Sequence, residues 1–195
     1  MAVMPPLPTG LRHVILDRDG VLNEEAADHG HILRPADFKW LPGARAALAR
    51  ISRAGMRISI ATNQSAVGRG LMTAQELDRV FATMLGQAEA VGARISGVYF
   101  CPHAPEAHCD CRKPAPGLIR SAVEDSGIAA ADTMVVGDDV RDVAAARAAG
   151  VAVVLVRTGK GLRAAAELRE RGDMLPVFDD LAQIAERLNP ASEPR

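Results

Sequence analysis

The sequence predicts an α/β protein, a Rossmann-like doubly wound parallel sheet, and three observations carry that expectation. Short apolar runs bounded by turn residues recur along the chain. Stretches with helical spacing lie between them. Acids, hydroxyls and a lysine follow the runs, at the carboxyl edge where such sheets bind ligands. The runs are His13–Leu16, 57–61, 97–100, 134–136 and Ala152–Val156, read as strands buried on both faces. The helices are expected over 44–54, 73–91, 116–126 and 141–149. The second of these opens on a Thr73-x-x-Glu76 capping box, the third on a proline, and Gly127 and Gly150 stand where helices stop.

Composition bounds the rest. A chain of 195 residues is expected to form one domain over 1–195, with loose tails at about 1–9 and 189–195. Hydrophobic residues at 48% and charged residues at 24% fit a globular protein and exclude wholesale disorder. A net charge of −1 shows no basic excess, and 3% aromatics offer no stacking platform, so no nucleic-acid partner is expected. No apolar run is long enough to span a membrane, and the proline-rich start has no signal-peptide core. The expectation is therefore a cytoplasmic monomer acting on a small molecule.

Four strand ends carry chemistry. The first delivers Asp17-Arg-Asp19-Gly20, two carboxylates whose repulsion a divalent cation such as Mg²⁺ would relieve. The second delivers Thr62-Asn63-Gln64-Ser65, donors for an anion cradle or simple turn chemistry. Arg112-Lys113 precedes a helix, and a cation there can neutralise a transferring phosphoryl group. The fourth strand ends in Gly137-Asp138-Asp139-Val-Arg-Asp142. Asp138 would complete the carboxylate set, while Asp139 and Asp142 serve equally well as helix N-terminal acids. Cys101, His103, Cys109 and Cys111 fall in one eleven-residue window and make a Cys₃His shell for structural Zn²⁺ with no open position. His108 is a rival to His103. The segment from Asn23 to Leu41 lacks periodicity and lies where a substrate loop belongs.

Together these residues resemble the haloacid dehalogenase (HAD) superfamily, and specifically its small capless phosphatases, from about residue 11 to 185. Asp17-x-Asp19 is similar to the first motif, Thr62 to the second, Lys113 to the third and Gly137-Asp138-x-x-x-Asp142 to the fourth. The resemblance implies Asp17 as nucleophile and Asp19 as acid and base, with Thr62 and Lys113 on the phosphoryl oxygens. It implies Mg²⁺ on Asp17, the Asp19 carbonyl and Asp138.

The zinc loop resembles that of two branches, the heptose 1,7-bisphosphate 7-phosphatases and the histidinol-phosphate phosphatases. Asn23, the loop Asp28-His29-Gly30-His31, the stretch Thr62-Asn63-Gln64-Ser65-x-x-Gly68-Arg69-Gly70 and the turn Arg157-Thr158-Gly159-Lys160 resemble the first branch. His31 stands where that branch usually has tyrosine. The implied function is removal of the 7-phosphate of a heptose bisphosphate, with Asn23, residues 28–31, Thr62 to Ser65, Arg69, Arg112 and Lys113 around the sugar. Arg112 is the expected holder of the phosphate that is not cut. Histidinol phosphate is the alternative substrate. A non-catalytic, zinc-stabilised binding module is the alternative of another class, and it would be expected to lack Asp17, Asp19 or Lys113.

Overall fold

The computed structural model describes residues 7–26 and 30–188. The strands are β1 (His13–Leu16), β2 (Arg57–Asn63), β3 (Ile95–Cys101), β4 (Thr133–Gly137), β5 (Ala152–Val156) and β6 (Val177–Phe178). The helices are α1 (Ala44–Arg53), α2 (Ala74–Glu89), α3 (Gly117–Ser126), α4 (Val140–Ala148), α5 (Gly161–Glu170) and α6 (Leu181–Leu188). All strand pairings are parallel, in the order β3-β2-β1-β4-β5-β6. The chain reverses direction across the sheet between β1 and β4, the switch point at which open parallel sheets leave a crevice.

Two layers of helices cover the sheet. On one face Val14, Leu16, Ile58 and Ile60 pack with Leu48 and Ile51 of α1, Leu77, Val80 and Met84 of α2, and Leu181 and Ile184 of α6. On the other, Ile15, Ala61 and Val135 meet Leu118, Ile119 and Ala122 of α3 and Ala145 and Ala146 of α4, while Leu155 meets Ala164 and Leu168 of α5. β1, β4 and most of β2 are buried on both faces as expected. β3 is the correction: it is an edge strand, half-buried along most of its length, because no strand among the described residues pairs with its outer side. The capping box of α2 forms as read, with Thr73 Oγ1 accepting from the Glu76 backbone N–H and the Glu76 carboxylate accepting from Thr73. α5, β6 and α6 extend the architecture beyond the predicted elements.

The segment after β1 leaves the sheet at Glu24 and returns at Leu41. Backbone bonds from Glu24 N to Lys39 O (2.8 Å) and from Leu41 N to Leu22 O (2.9 Å) close its base. It is thus a tethered excursion over the carboxyl edge. Within it, Phe38 and Trp40 stack edge to face at 5.1 Å. Leu7, inside the stretch read as a tail, packs against the larger core cluster.

Candidate active site

The sheet brings the four predicted strand ends into one cleft, lined among others by Asp17, Asp19, Thr62, Lys113, Asp138 and Asp142. Its centre is a buried ammonium. Lys113 Nζ lies 3.0 Å from Asp17 Oδ1 and 2.6 Å from Asp142 Oδ1, and donates to the Ala61 carbonyl at 2.8 Å. Burial works to lower its pKa, but Asp142 and Asp17 hold it above the ordinary lysine value. Lys113 is therefore charged throughout the physiological range.

Asn63 explains how the lysine is aimed. Its Oδ1 accepts from the Lys113 backbone N–H and its Nδ2 donates to the Lys113 carbonyl, both at 3.0 Å. Asn63, expected around the sugar, thus has both polar ends on the Lys113 backbone and braces the cation.

The two carboxylates of the first motif sit in opposite environments. Burial pushes Asp17 up to about 6, with Lys113 opposing and Asp142 and Asp19 adding to the rise. Burial also works to raise Asp19, but the Arg18 charge, with hydrogen bonds from Arg18, Asn23 and Gln64, holds it below the ordinary carboxylate value. Arg18 Nη2 lies 2.8 Å from both Asp19 oxygens, Asn23 Nδ2 donates to one and Gln64 Nε2 to the other, each at 2.9 Å. Gln64 donates also to Thr62 Oγ1 at 2.9 Å. Since Thr62 Oγ1 accepts there, its own hydrogen remains available to a phosphoryl oxygen.

Arg18 was no part of the predicted site. It is fully buried, 5.8 Å from the Phe81 ring, with Nε and one terminal nitrogen lacking a partner. An arginine between two acids is a signal the sequence holds, but only the fold shows that it is buried and which acid it faces.

Asp138 and Asp142 divide the fourth motif. Asp142 accepts from the backbone N–H groups of Asp138 (3.2 Å) and Asp139 (3.1 Å) and pairs with Lys113, so it is both a helix cap and a catalytic-site anchor. Asp139 caps α4 and takes Arg141 as its partner. Burial, then Asp17 and Asp142, push Asp138 up to about 8. Oxygens of Asp17, Asp138 and Asp142 lie within 4.8 Å of one another. Both Asp142 oxygens are engaged, Oδ1 by Lys113 and Oδ2 by the backbone N–H groups of Asp138 and Asp139, whereas Asp17 and Asp138 each engage one oxygen, so these two are the better placed to hold an ion. That donor set fits a hard divalent cation such as Mg²⁺.

The second cluster forms as read. Cys101 Sγ lies 3.5 Å from Cys109 Sγ, Cys111 Sγ lies 3.4 Å from Cys109 Sγ, and His103 Nδ1 is 3.6 and 3.3 Å from Cys101 and Cys111. A tetrahedral zinc with bonds of about 2.0–2.3 Å needs ligand separations of about 3.5–3.8 Å, so the set fits. The structure brings in His103 and leaves His108 outside the cluster. Arg112 Nη1 donates to the His103 carbonyl at 3.2 Å, which ties this loop to the cleft.

Among the residues expected around the sugar, Gly30, His31, Asn63, Gln64, Ser65 and Arg112 line the cleft. Arg69 is exposed and is not among the residues that line the cleft. Burial, then the charge of Arg69, and also Arg112 and Arg18, hold His31 below its ordinary pKa, with Asp19 opposing. That marks a cation-rich wall. Asp28 and His29 lie outside the described residues. Glu25, Arg141 and Lys160 line the cleft and were not among the predicted site residues.

A parallel sheet with paired aspartates just after β1, a lysine anchored to the aspartate of the fourth motif and no cap domain among the described residues defines a HAD-like hydrolase of the phosphatase type. The HAD-hydrolase-like family model matches residues 110–184. The chain is 38% identical to the D-glycero-beta-D-manno-heptose-1,7-bisphosphate 7-phosphatase of Pseudomonas aeruginosa, over 90% of this chain and 96% of that protein. It is 39% identical to the protein of the same name from Haemophilus ducreyi, over 92% and 100%. The crystal structure of the D,D-heptose 1,7-bisphosphate phosphatase of B. bronchiseptica, complexed with magnesium and phosphate, superposes with a TM-score of 0.85 at 35% identity, covering 93% of this chain and all of that one. The chain belongs to the same family of HAD-like phosphatases as these proteins.

Proposed function

We propose that the protein removes the 7-phosphate of D-glycero-β-D-manno-heptose 1,7-bisphosphate. The observation that carries the chemistry is the Asp17–Lys113–Asp142 line with Asp19 two residues on. The relatives' shared name supports the substrate and its β anomer.

Asp17 attacks phosphorus in line. The bond from phosphorus to the C7 oxygen breaks as an aspartyl phosphate forms, and Asp19 gives its proton to the departing oxygen. Water then attacks the same phosphorus, passes its proton to Asp19 and restores Asp17. In the free enzyme Asp19 is ionised, the form the second step requires. The negative charge of a docking phosphate raises its pKa toward the acid form the first step requires.

Thr62 and Lys113 hold the phosphoryl oxygens, and positioning with charge stabilisation supplies most of the rate. Mg²⁺, held by Asp17, Asp138 and the Asp19 carbonyl, would neutralise phosphoryl charge. Zn²⁺ on Cys101, His103, Cys109 and Cys111 would pin the loop that delivers Arg112 and Lys113. His31, Arg69 and Arg112 hold the phosphate that stays, while Asn23 and Gln64 act by fixing Asp19.

The test is phosphate release with Mg²⁺ from both heptose bisphosphate anomers and from histidinol phosphate. Preference for the β heptose bisphosphate, with Asp17→Asn lowering kcat at least about 10³-fold, is expected. Preference for histidinol phosphate overturns the substrate, and release that survives Asp17→Asn overturns the mechanism.

A further inference from the structure

The loop after β5 makes a set of contacts with the carboxylate pocket that the four motifs leave unassigned. β5 lies beside β4, so residues 157–160 emerge next to Asp138. The Lys160 backbone N–H donates to Asp138 Oδ2 at 2.8 Å, and Thr158 Oγ1 donates to the Gly20 carbonyl at 2.6 Å. Gly159 has φ +58°, and a Cβ on it would stand 2.1 Å from Asp138 Oδ2 and 2.6 Å from the Gly20 Cα. A Cβ on Gly20 would likewise stand 2.1 Å from Asp138 Oδ2. The Asp138 carboxylate is thus wedged between two glycines, one from the turn after β1 and one from the turn after β5. Lys160 then pairs its ammonium with Glu25, at the start of the 24–41 excursion, and both line the cleft.

We propose that residues 158–160 are a fifth functional segment, which fixes the Asp138 carboxylate for the cation and ties the rim loop to it through the Lys160–Glu25 pair. Asp138 Oδ2 is taken by the Lys160 N–H, so Oδ1 is the oxygen that would hold the metal. Outer partners of this kind typically change metal affinity about 10- to 100-fold when lost. This rests on Asp138 being a magnesium ligand.

The test is calorimetric titration of the substrate-free protein with Mg²⁺ alone. Gly159→Ala is expected to bind at least about 10-fold more weakly than wild type. Gly172, also at positive φ but with open space around it, supplies the control for backbone strain, and Gly172→Ala is expected to bind as wild type. Thr158→Val removes one hydrogen bond and adds no bulk, and is expected to weaken binding about three-fold. It carries the test if Gly159→Ala does not fold. Wild-type affinity in a folded Gly159→Ala, or in Thr158→Val when the other does not fold, overturns the proposal. A wild-type protein that binds no Mg²⁺, or an Asp138→Asn that binds equally well, overturns instead the reading of Asp138 as a ligand.

Lys160→Met keeps its backbone N–H, so Mg²⁺ binding is expected within about two-fold while KM for the phosphosugar rises about five-fold. Glu25→Gln is expected to match it, and the double variant to be no worse than either, the signature of one shared contact. Additive KM effects overturn the tie between the rim loop and Lys160.

Discussion

The carboxylate cluster at the end of β1 and the thiol–imidazole cluster after β3 both gather groups suited to a metal, but they draw on the chain in different ways. The first takes residues from positions 17, 113, 138 and 142, carried to one point by the ends of two strands, the first turn of α4 and a loop. The second takes four residues from eleven consecutive positions. The first is held by the fold, and its like charges are tolerable because Lys113 stands among them. The second spans the last residue of β3 and the loop after it, where metal binding and local folding would be coupled. Removing a group from the first should abolish chemistry and leave the fold, whereas removing one from the second should loosen the structure and disturb chemistry indirectly.

The largest effect should come from Lys113→Met. It leaves Asp17 and Asp142 facing each other without a cation, and kcat should fall about 10³-fold, about 4 kcal/mol of transition-state stabilisation. Lys113→Arg should rescue little, because a planar fork does not reproduce one ammonium shared by Asp17, Asp142 and the Ala61 carbonyl. A fall under about ten-fold in steady-state assays would break the contrast.

On the other side, Cys109→Ser should lower Tm by about 10 °C, since a structural zinc contributes several kcal/mol and about 2–4 °C follows each in a chain of this size. KM should rise with it through the Arg112–His103 contact. Full activity at reduced Tm would show the two regions to be independent.

The opposite end of β1 sharpens the comparison, because His13 is buried there with one partner, Ser59 Oγ at 2.9 Å, and an unpartnered Nδ1. Burial, aided by the Arg57 charge, lowers its pKa to about 4 from the ordinary 6.5. The folded state therefore disfavours protonation. The stability that neutral His13 contributes is complete above pH 6.5 and is lost as pH falls toward 4, by about 3 kcal/mol in total. Asp17 and Asp138, raised in the folded state, act with opposite sign, so the readout is the difference between wild type and His13→Gln. That difference in unfolding free energy should shrink as pH falls from 6.5 to 4, and a constant difference would refute the assignment.

The smallest effect should be that of Gln64→Leu, which removes one hydrogen bond to Asp19 while Arg18 and Asn23 remain. kcat should fall about ten-fold, the worth of a hydrogen bond to a charged group. KM should stay within about two-fold.

Much of this was legible in the residues. β1 and β5 fall where the apolar runs place them, and α2 starts at its capping box, because each rests on period and local spacing. α5 and β6 were harder to see. The apolar stripe of α5 rests on Ala164 and Leu168 with Leu162 exposed, and β6 has only two residues. α6 carries a readable stripe in Leu181, Ile184 and Ala185, and its burial against α1 shows why.

By itself the sequence determined the class of sheet, the order in which acids, hydroxyls and lysine meet its edge, and the cysteine loop, since all of these are written in short spacings. Only the tertiary structure decided that Asp142 holds Lys113, that Asn63 braces the Lys113 backbone and Gln64 the Asp19 and Thr62 side chains, that Arg18 is buried against Asp19, and that Gly20 and Gly159 clasp Asp138. Those pairings depend on β1 lying between β2 and β4 and on β4 lying between β1 and β5. Strand order is set by how whole layers of helices bury the two faces of the sheet, and no local pattern encodes it.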